Sequence, residues 1–321
     1  MSTQWRRIAA ATLCSLAAGA ALAQYPSRPI RLLVPNPPGG ATDTSARVLG
    51  AKLGEALGQP VVVENRAGSN GNIATEMTAR AAPDGHTLLL CADAQIVVSP
   101  HLYSNLPFDT LRDITPIATL VSTQMMLTAI PSLPVKTFQE FLEYARRANP
   151  PLLYASIGNG SQHHLAMELL KARAGIDLVH VPYKGGGPAT VAILAGEVVV
   201  MFGGNSVAGH IKSGKLRALA LAGRKRVPSL PDVPTIGEFY PGYDFTIWLG
   251  LCGPAGMPEA VLAKLRTEVN RALAHPDTAG RLSGAGGLEP YISTGEEFAS
   301  LVRTDYAKYG KVVKDAGAKV D

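Results

Sequence analysis

The sequence predicts an α/β protein of two domains, each built on a parallel sheet covered by helices on both faces. Three observations carry that expectation. Short β-branched or leucine-rich runs alternate with segments of helical period, the pattern of strands connected through covering helices. The alternation occurs twice, over 30–91 and again over 152–222, which suggests two similar units. Glycine-rich turns recur where a strand hands over to a helix, at 38–42, 158–161 and 185–188.

The first 23 residues read as a secretory signal peptide. Trp5-Arg6-Arg7 is a short basic start, 8–20 is an uncharged run of small apolar residues, and Ala21-Leu22-Ala23 fits a cleavage site before Gln24. That run is shorter than the roughly 20 residues that cross a bilayer, and Cys14 follows Leu13 where a lipid-anchored protein needs a small residue. A soluble periplasmic protein without a lipid anchor is therefore expected. The remaining chain has length for two buried cores, and the domains are expected as 24–124 with 225–321, and 125–224. Cys91 and Cys252 both lie in apolar runs, which predicts buried free thiols rather than a disulfide framework, and no metal-ligand spacing is present. The formal charge of +5 includes Arg6 and Arg7, leaving a weak bias toward anions. Lysines and arginines are scattered, without the basic stripe of a nucleic-acid binder.

In chain order, Ile30–Val34 reads as a strand that breaks at Pro35-Asn36-Pro37-Pro38-Gly39-Gly40. A helix follows, with Ala46, Leu49, Leu53 and Leu57 at spacings of three and four, Thr42 or Asp43 as its cap, and Gly58 as its stop. A β-branched strand over 61–64 precedes a loop through Asn72, and the next helix is expected to turn Ile73, Met77 and Ala81 inward before stopping at Pro83-Asp84-Gly85. A third strand spans 87–91, 92–116 is expected to be loop-rich, and 125–130 is a strand leading away from the first sheet. Thr137-Phe138-Gln139-Glu140 is a capping box, opening a helix to about Asn149.

The second series then begins. Strands at Leu152–Ser156 and Leu178–Pro182 flank a helix capped by Ser161 with Leu165, Leu169 and Ala172 on one face. Pro188 suits the first turn of the next helix, where a missing N–H costs nothing. Strands over 198–202 and 216–222 enclose Gly203-Gly204-Asn205 and a short helix ending near Gly214, and 228–234 is an irregular connector. A strand over 248–253, a helix opened by Pro258 with Val261, Leu265, Val269 and Leu273 inward, and a closing helix from the capping box Thr294-Gly295-Glu296-Glu297 to about Val313 complete the chain.

The three glycine-rich turns carry the functional signal. Unpaired amides at a helix start, the positive end of its dipole and glycines that admit a ligand to the backbone together make a seat for a small anion. In open α/β sheets ligands collect at the carboxyl ends of strands, so three such turns facing one cleft would hold a carboxylate through backbone amides and the Thr42 and Ser161 hydroxyls. Ser161 with His163 and His164 lacks the spacing of a nucleophile and its base, and the histidine pair has no third ligand for a metal. An exported α/β hydrolase-type enzyme acting on a small anion through Asp43, Asp93 or a histidine is the competing reading. It needs titratable groups converging on one pocket, whereas these loops are mostly glycine, proline and small polar residues.

Several separated motifs occur in a fixed order: Tyr25-Pro26-Ser27-Arg28-Pro29-Ile30, Val34-Pro35-Asn36-Pro37-Pro38-Gly39-Gly40-Ala41-Thr42-Asp43, Val61-Val62-Val63-Glu64-Asn65-Arg66, Ala82-Pro83-Asp84-Gly85, the 158–161 turn with His164-Leu165, and Val181-Pro182-Tyr183-Lys184-Gly185-Gly186. Together they resemble the Bug receptor family, periplasmic solute-binding proteins associated with tripartite tricarboxylate transporters. The resemblance implies a two-domain periplasmic-binding-protein fold of the Venus-flytrap, type II kind, with two crossing segments, closing on a small carboxylate. It implies a receptor rather than an enzyme, with no cofactor, metal or catalytic residue, working as a monomer with transporter membrane subunits or a sensor kinase. Carried onto this chain, Pro38, Gly39, Gly40, Ala41, Thr42 and Ser161 hold the carboxylate from one side, and Tyr183, Gly185 and Gly186 face it from the other. Amino-acid-binding members commonly carry an acidic residue where this chain has Gly203-Gly204, so a mono- or dicarboxylic acid is expected over an amino acid, although Asp93 at the end of the third strand could replace that partner for an ammonium, which keeps the amino-acid alternative open.

Overall fold

The computed structural model describes residues 25–204, 207–227, 230–284 and 288–317. The expected leader with Cys14 and the Ala23 cleavage site, together with Asn205 and Pro228, lies outside the described residues.

Two sheets form, and each is mixed rather than purely parallel. The first contains β1 (Ile30–Val34), β2 (Val61–Asn65), β3 (Thr87–Ala92), β4 (Ile114–Gln124), β10 (Thr246–Pro254) and β11 (Glu289–Pro290), ordered β11-β4-β10-β3-β1-β2. The strands β2, β1 and β3 run parallel, as the alternation predicts, while β10 is antiparallel to both β3 and β4. The second contains β5 (Met126–Ala129), β6 (Leu152–Ser156), β7 (Leu178–Pro182), β8 (Val200–Gly203) and β9 (Arg217–Leu221), ordered β7-β6-β8-β5-β9. Here β7, β6 and β8 are parallel and β5 is antiparallel to its two neighbours. The chain leaves the first sheet between Gln124 and Met126 and returns between Leu221 and Thr246.

Alternation along each strand distributes the cores. Ile30, Leu32 and Val34 of β1 with Leu88 and Leu90 of β3 pack under α1 (Ala41–Leu57), α9 (Glu259–Ala274) and α10 (Pro276–Gly284). Leu33, Leu89 and Cys91 face the other way, toward α2 (Asn72–Ala79) and Phe298, Val302 and Tyr309 of α11 (Gly295–Asp315). That second core continues into the other lobe, where Leu127, Tyr154 and Phe202 meet α5 (Phe138–Arg147) and α6 (Gln162–Ala174). The remaining face of the second sheet, with Ala155 and Met201, is covered by Ala189 and Ile193 of α7 (Gly186–Ala195). The short α8 (Ala208–Lys212) precedes β9.

Several local expectations need correction. Gly40, not Thr42 or Asp43, is the residue before the first turn of α1, and no side chain caps it. Helix α2 is rotated from the expected face: Ile73 is 45% exposed, while Ala74, Thr75 and Thr78 are buried. The two threonines tolerate burial because their hydroxyls donate to the carbonyls of Gly71 and Ala74, one turn back. On α6 the inward residues are Leu165, Ala166, Leu170 and Ala174, with Ala172 exposed. The stretch expected to be loop-rich is more ordered than its composition suggests. A π-turn over 94–98 runs into α3 (Ser99–Leu102), α4 (Thr110–Asp113) follows, and β4 begins at Ile114. Proline at 116 marks β4 as an unpromising strand, and the structure accommodates it where the pairing with β10 shifts register.

The cysteine expectation is overturned. Cys91 and Cys252 form a disulfide, their Cα atoms 6.0 Å apart across 161 residues of sequence. In the antiparallel register Cys91 lies opposite Gly250, which puts Cys252 two residues along β10 on the same face. A buried apolar flank suits a thiol and a half-cystine equally, and only this long-range register decides between them. Cross-linking across so long a loop stabilises chiefly by restricting the unfolded chain. The double variant Cys91→Ala/Cys252→Ala is expected to lose about 2–5 kcal/mol in denaturant titrations, and denatured wild-type protein is expected to show no thiol reaction from these two residues until a reductant is added.

Candidate functional site

The first-lobe turn is held open from below by side chains of the adjoining helix and strand. Asp43 accepts from the Gly39 amide at 2.9 Å and from Arg47 at 2.9 and 3.0 Å. It also accepts from the Asn65 carboxamide at 3.0 Å, and that same carboxamide donates to the Asn36 carbonyl. Thr42 donates to the Asn36 side chain at 2.9 Å, so both the turn and the first turn of α1 are braced. Arg47 first of all, with the Gly39 amide and Asn65, holds the Asp43 carboxyl down at about 2 despite its burial. The rim itself is open: Pro38, Gly39, Gly40 and Ala41 are exposed, and a Cβ built on Gly39 or Gly40 meets nothing within 4 Å. Gly39 lies at φ +90°, a conformation that glycine adopts without strain.

In the second lobe, the turn after β6 ends in Ser161, which caps α6 by accepting from the His164 amide at 3.3 Å and donates to the Gly158 carbonyl at 2.7 Å. His164 in turn accepts from the Gly160 amide at 3.1 Å and stacks on His180, ring centroids 4.0 Å apart. Ser156 binds the Gly158 carbonyl and amide and lies 2.6 Å from His180 Nε2, which ties the end of β6 to β7. Burial, then the neighbouring His164, lowers His180 to about 4, so this pair is neutral packing at pH 7. Beside it, the Tyr183 amide donates to the Ser156 carbonyl, and α7 opens at Gly185 and Gly186 with no side-chain cap. A Cβ at Gly185 meets nothing within 4 Å.

The carboxyl ends of β3 and β6 meet across the two lobes. After β3, Asp93 is buried and its carboxylate accepts from the carboxamide of Gln162, the first residue of α6 in the other lobe. Nearby, a Cβ on Gly160 would stand 2.8 Å from Leu102 of α3, so the second-lobe turn packs directly on the first lobe. The turns after β1, β2 and β3 also interlock: a Cβ on Gly71 would fall 2.6 Å from Gln95 and 2.8 Å from Pro35.

Of the residues singled out by sequence, the structure therefore brings the Ser161 turn against the β3 end, one strand from the 38–42 turn. It does not present all of them to open space. Asp93 is 1% exposed, Tyr183 turns its hydroxyl to Glu197 at 3.1 Å, and Gly203 packs its α-carbon against Val207, leaving Gly204 open beside it. Sequence reasoning gave Gln162 no role in the site and saw Asp43 and Asn65 without their mutual bonds. Asn-Arg at the end of a strand was their only local signal.

Chemically the rim offers backbone amide donors, the Thr42 and Ser161 hydroxyls already donating to the Asn36 side chain and the Gly158 carbonyl. Ser161 is bonded to its own turn and not to His163, which burial drives down to about 4. Among the described residues no group of three or more metal-ligating side chains converges. Backbone amides at a helix start favour an anionic oxygen.

Comparison with known proteins places the chain among similar sequences and structures. The family model for the tripartite tricarboxylate transporter family receptor matches residues 45–318. Protein BugT of Bordetella pertussis is 36% identical over 299 residues, covering 92% of this chain and 91% of that one. Among solved structures, the R. palustris protein Rpa4515 with adipate is 31% identical with a TM-score of 0.80, covering 92% of this chain and 99% of that chain. MatC from Rhodopseudomonas palustris with bound malate is 34% identical with a TM-score of 0.74, covering 90% and 100%.

The Asp43 brace generates a test with a defined sign. Its folded pKa lies below the ordinary value of about 3.9, so its contribution is complete above pH 4 and lost as pH falls toward 2. Asp43→Ala is expected to cost about 1–3 kcal/mol at pH 7 and to speed hydrogen exchange at the Gly39 amide. The difference from wild type is expected to shrink in denaturant titrations below pH 4.

Proposed function

Because the chain belongs to the tripartite tricarboxylate transporter receptor family, to which its resemblance to the Bug proteins also points, we propose that it captures a small mono- or dicarboxylate between its lobes and presents the closed form to a membrane partner. It is a periplasmic solute-binding receptor rather than an enzyme. The observation that carries the ligand class is the pairing of uncapped or lightly capped helix starts from both lobes at facing strand ends, α1 from one and α6 with α7 from the other. Each start concentrates free amides and the positive end of a helix dipole, which favours an anionic oxygen.

Two such seats on opposite lobes suit a molecule with acidic groups at both ends. Adipate and malate, bound in the two similar structures, are dicarboxylates. An α-amino acid fits less well. Gly203-Gly204 supplies no carboxylate, and Asp93 is engaged by Gln162 and pushed by burial up to about 7, so it is a poor partner for an ammonium ion. In this reading Gly39, Gly40, Ala41 and Thr42 beside Pro38 contact one end of the ligand, and Ser161, Gly185, Gly186 and Gly204 contact the other. The lobes divide near residues 124 and 225, where the chain crosses between sheets, and both seats come from one chain, so a monomer suffices. Binding to the closed state shifts the lobes toward closure, and a transporter's membrane subunits or a sensor kinase read that state.

A thermal-shift screen of the mature protein against mono-, di- and tricarboxylates tests the proposal. A dicarboxylate at a hundredfold excess over its Kd is expected to add about 2.7 kcal/mol of stability. Gly40 has φ −85°, so Gly40→Leu leaves the backbone unstrained while filling the rim, and it is expected to abolish the shift without lowering the ligand-free midpoint. No response to any carboxylate, or a full response in Gly40→Leu, would overturn it.

A further inference from the structure

The seam between the lobes contains a polar contact that the ligand reading does not use. Asp93 follows β3 in the first lobe and caps the π-turn by accepting from the Ala94 amide at 2.8 Å. Its second oxygen accepts from the Gln162 carboxamide of the second lobe. Both side chains are buried, at 1% and 7% exposure, so the bond forms in a dry environment where an unmade partner is expensive. Gln162 Nε2 also lies 3.4 Å from the Tyr309 hydroxyl, and Lys308 and Asp305 of α11 stand on the Asp93 side of the seam, with Asp305 held by Trp248 at 2.9 Å. Gln162 immediately follows the Ser161 cap, so its tether fixes the start of α6 against the other lobe.

We propose that Gln162 is a positioning residue, and that its carboxamide bond to Asp93 latches the two lobes in the closed arrangement without itself touching the ligand. The latch sets the ratio of open to closed receptor before any solute arrives. Solute contacts and latch then add, and part of the closing free energy is contributed by the protein alone. A shared carboxylate and carboxamide suit this role because the bond is short-ranged and directional: a small hinge rotation breaks it and exposes both groups to water, which solvates them. Breaking is therefore reversible rather than ruinous, in contrast to removing one partner inside a permanently buried core.

This inference rests on the receptor reading only in requiring that the lobes move, and its test uses no ligand. Small-angle X-ray scattering of ligand-free mature protein reads the compactness of the closed form. Gln162→Leu is expected to raise the open-to-closed ratio about tenfold, seen as a larger radius of gyration, with faster hydrogen exchange over 94–98 and 158–164. Asp93→Asn keeps a hydrogen-bond partner, since the Gln162 carboxamide can turn over to accept from it, and is expected to stay as compact as wild type. If Gln162→Leu does not fold, Gln162→Asn, one methylene too short to span the seam, gives the same readout. An unchanged radius in the folded Gln162 variant, or an equal expansion in Asp93→Asn, would overturn the latch while leaving carboxylate binding untouched.

Discussion

The structure depends on the return of the chain to the first sheet. Strand β10 sits between β3 and β4 and pairs with both, so that sheet is incomplete until residues 246–254 arrive after the whole second lobe has been made. That requirement creates two crossings between lobes, one between Gln124 and Met126 and one between Leu221 and Thr246. A two-stranded connection permits one lobe to swing against the other yet restrains its direction, which is the mechanical basis of a closing cleft. The largest apolar groups gather around the returning strand. Trp248 is buried with its ring against Phe298 at 5.2 Å, and a Cβ at Gly250 would collide with the same phenyl ring.

On this frame the proposed recognition surface is made of what secondary structure leaves over. Helix starts have amides without partners, and each sheet directs several of them to one edge because β1, β2 and β3 run parallel to one another, as do β6, β7 and β8. The Asp43 carboxylate, with Arg47 and the neutral Asn65 carboxamide, fixes the shape of the first turn, and Pro38, Gly39, Gly40 and Ala41 on its rim are small and uncharged. On the proposed reading, dipoles and shape rather than a salt bridge select the anion.

The regular parts of this fold were legible in the sequence because local and long-range preferences agree there. β1, β6 and β7 match their expected spans, and the Ser161 and Thr294 caps form as their motifs predict. The failures occur where local pattern and tertiary demand separate. Ile73 and Met77 share a helical stripe, but close approach to the sheet favours the smaller Ala74, Thr75 and Thr78. β4 is interrupted by Pro116 and hydroxyl residues, and it exists because β10 and β11 supply partners on both sides. For the candidate site, the glycine turns could be read directly, whereas the Asp93–Gln162 contact joins residues 69 apart whose neighbours give no hint of each other. The Cys91–Cys252 bond was hidden in the same way.

That bond encircles the entire second lobe, since 125–221 lies between its two sulfurs. A single protease cut anywhere in this span, including the crossings, leaves two pieces that remain covalently one molecule. Both connections between the lobes belong to the segment whose severance the disulfide bridges, so damage there does not release half of the receptor into the surroundings.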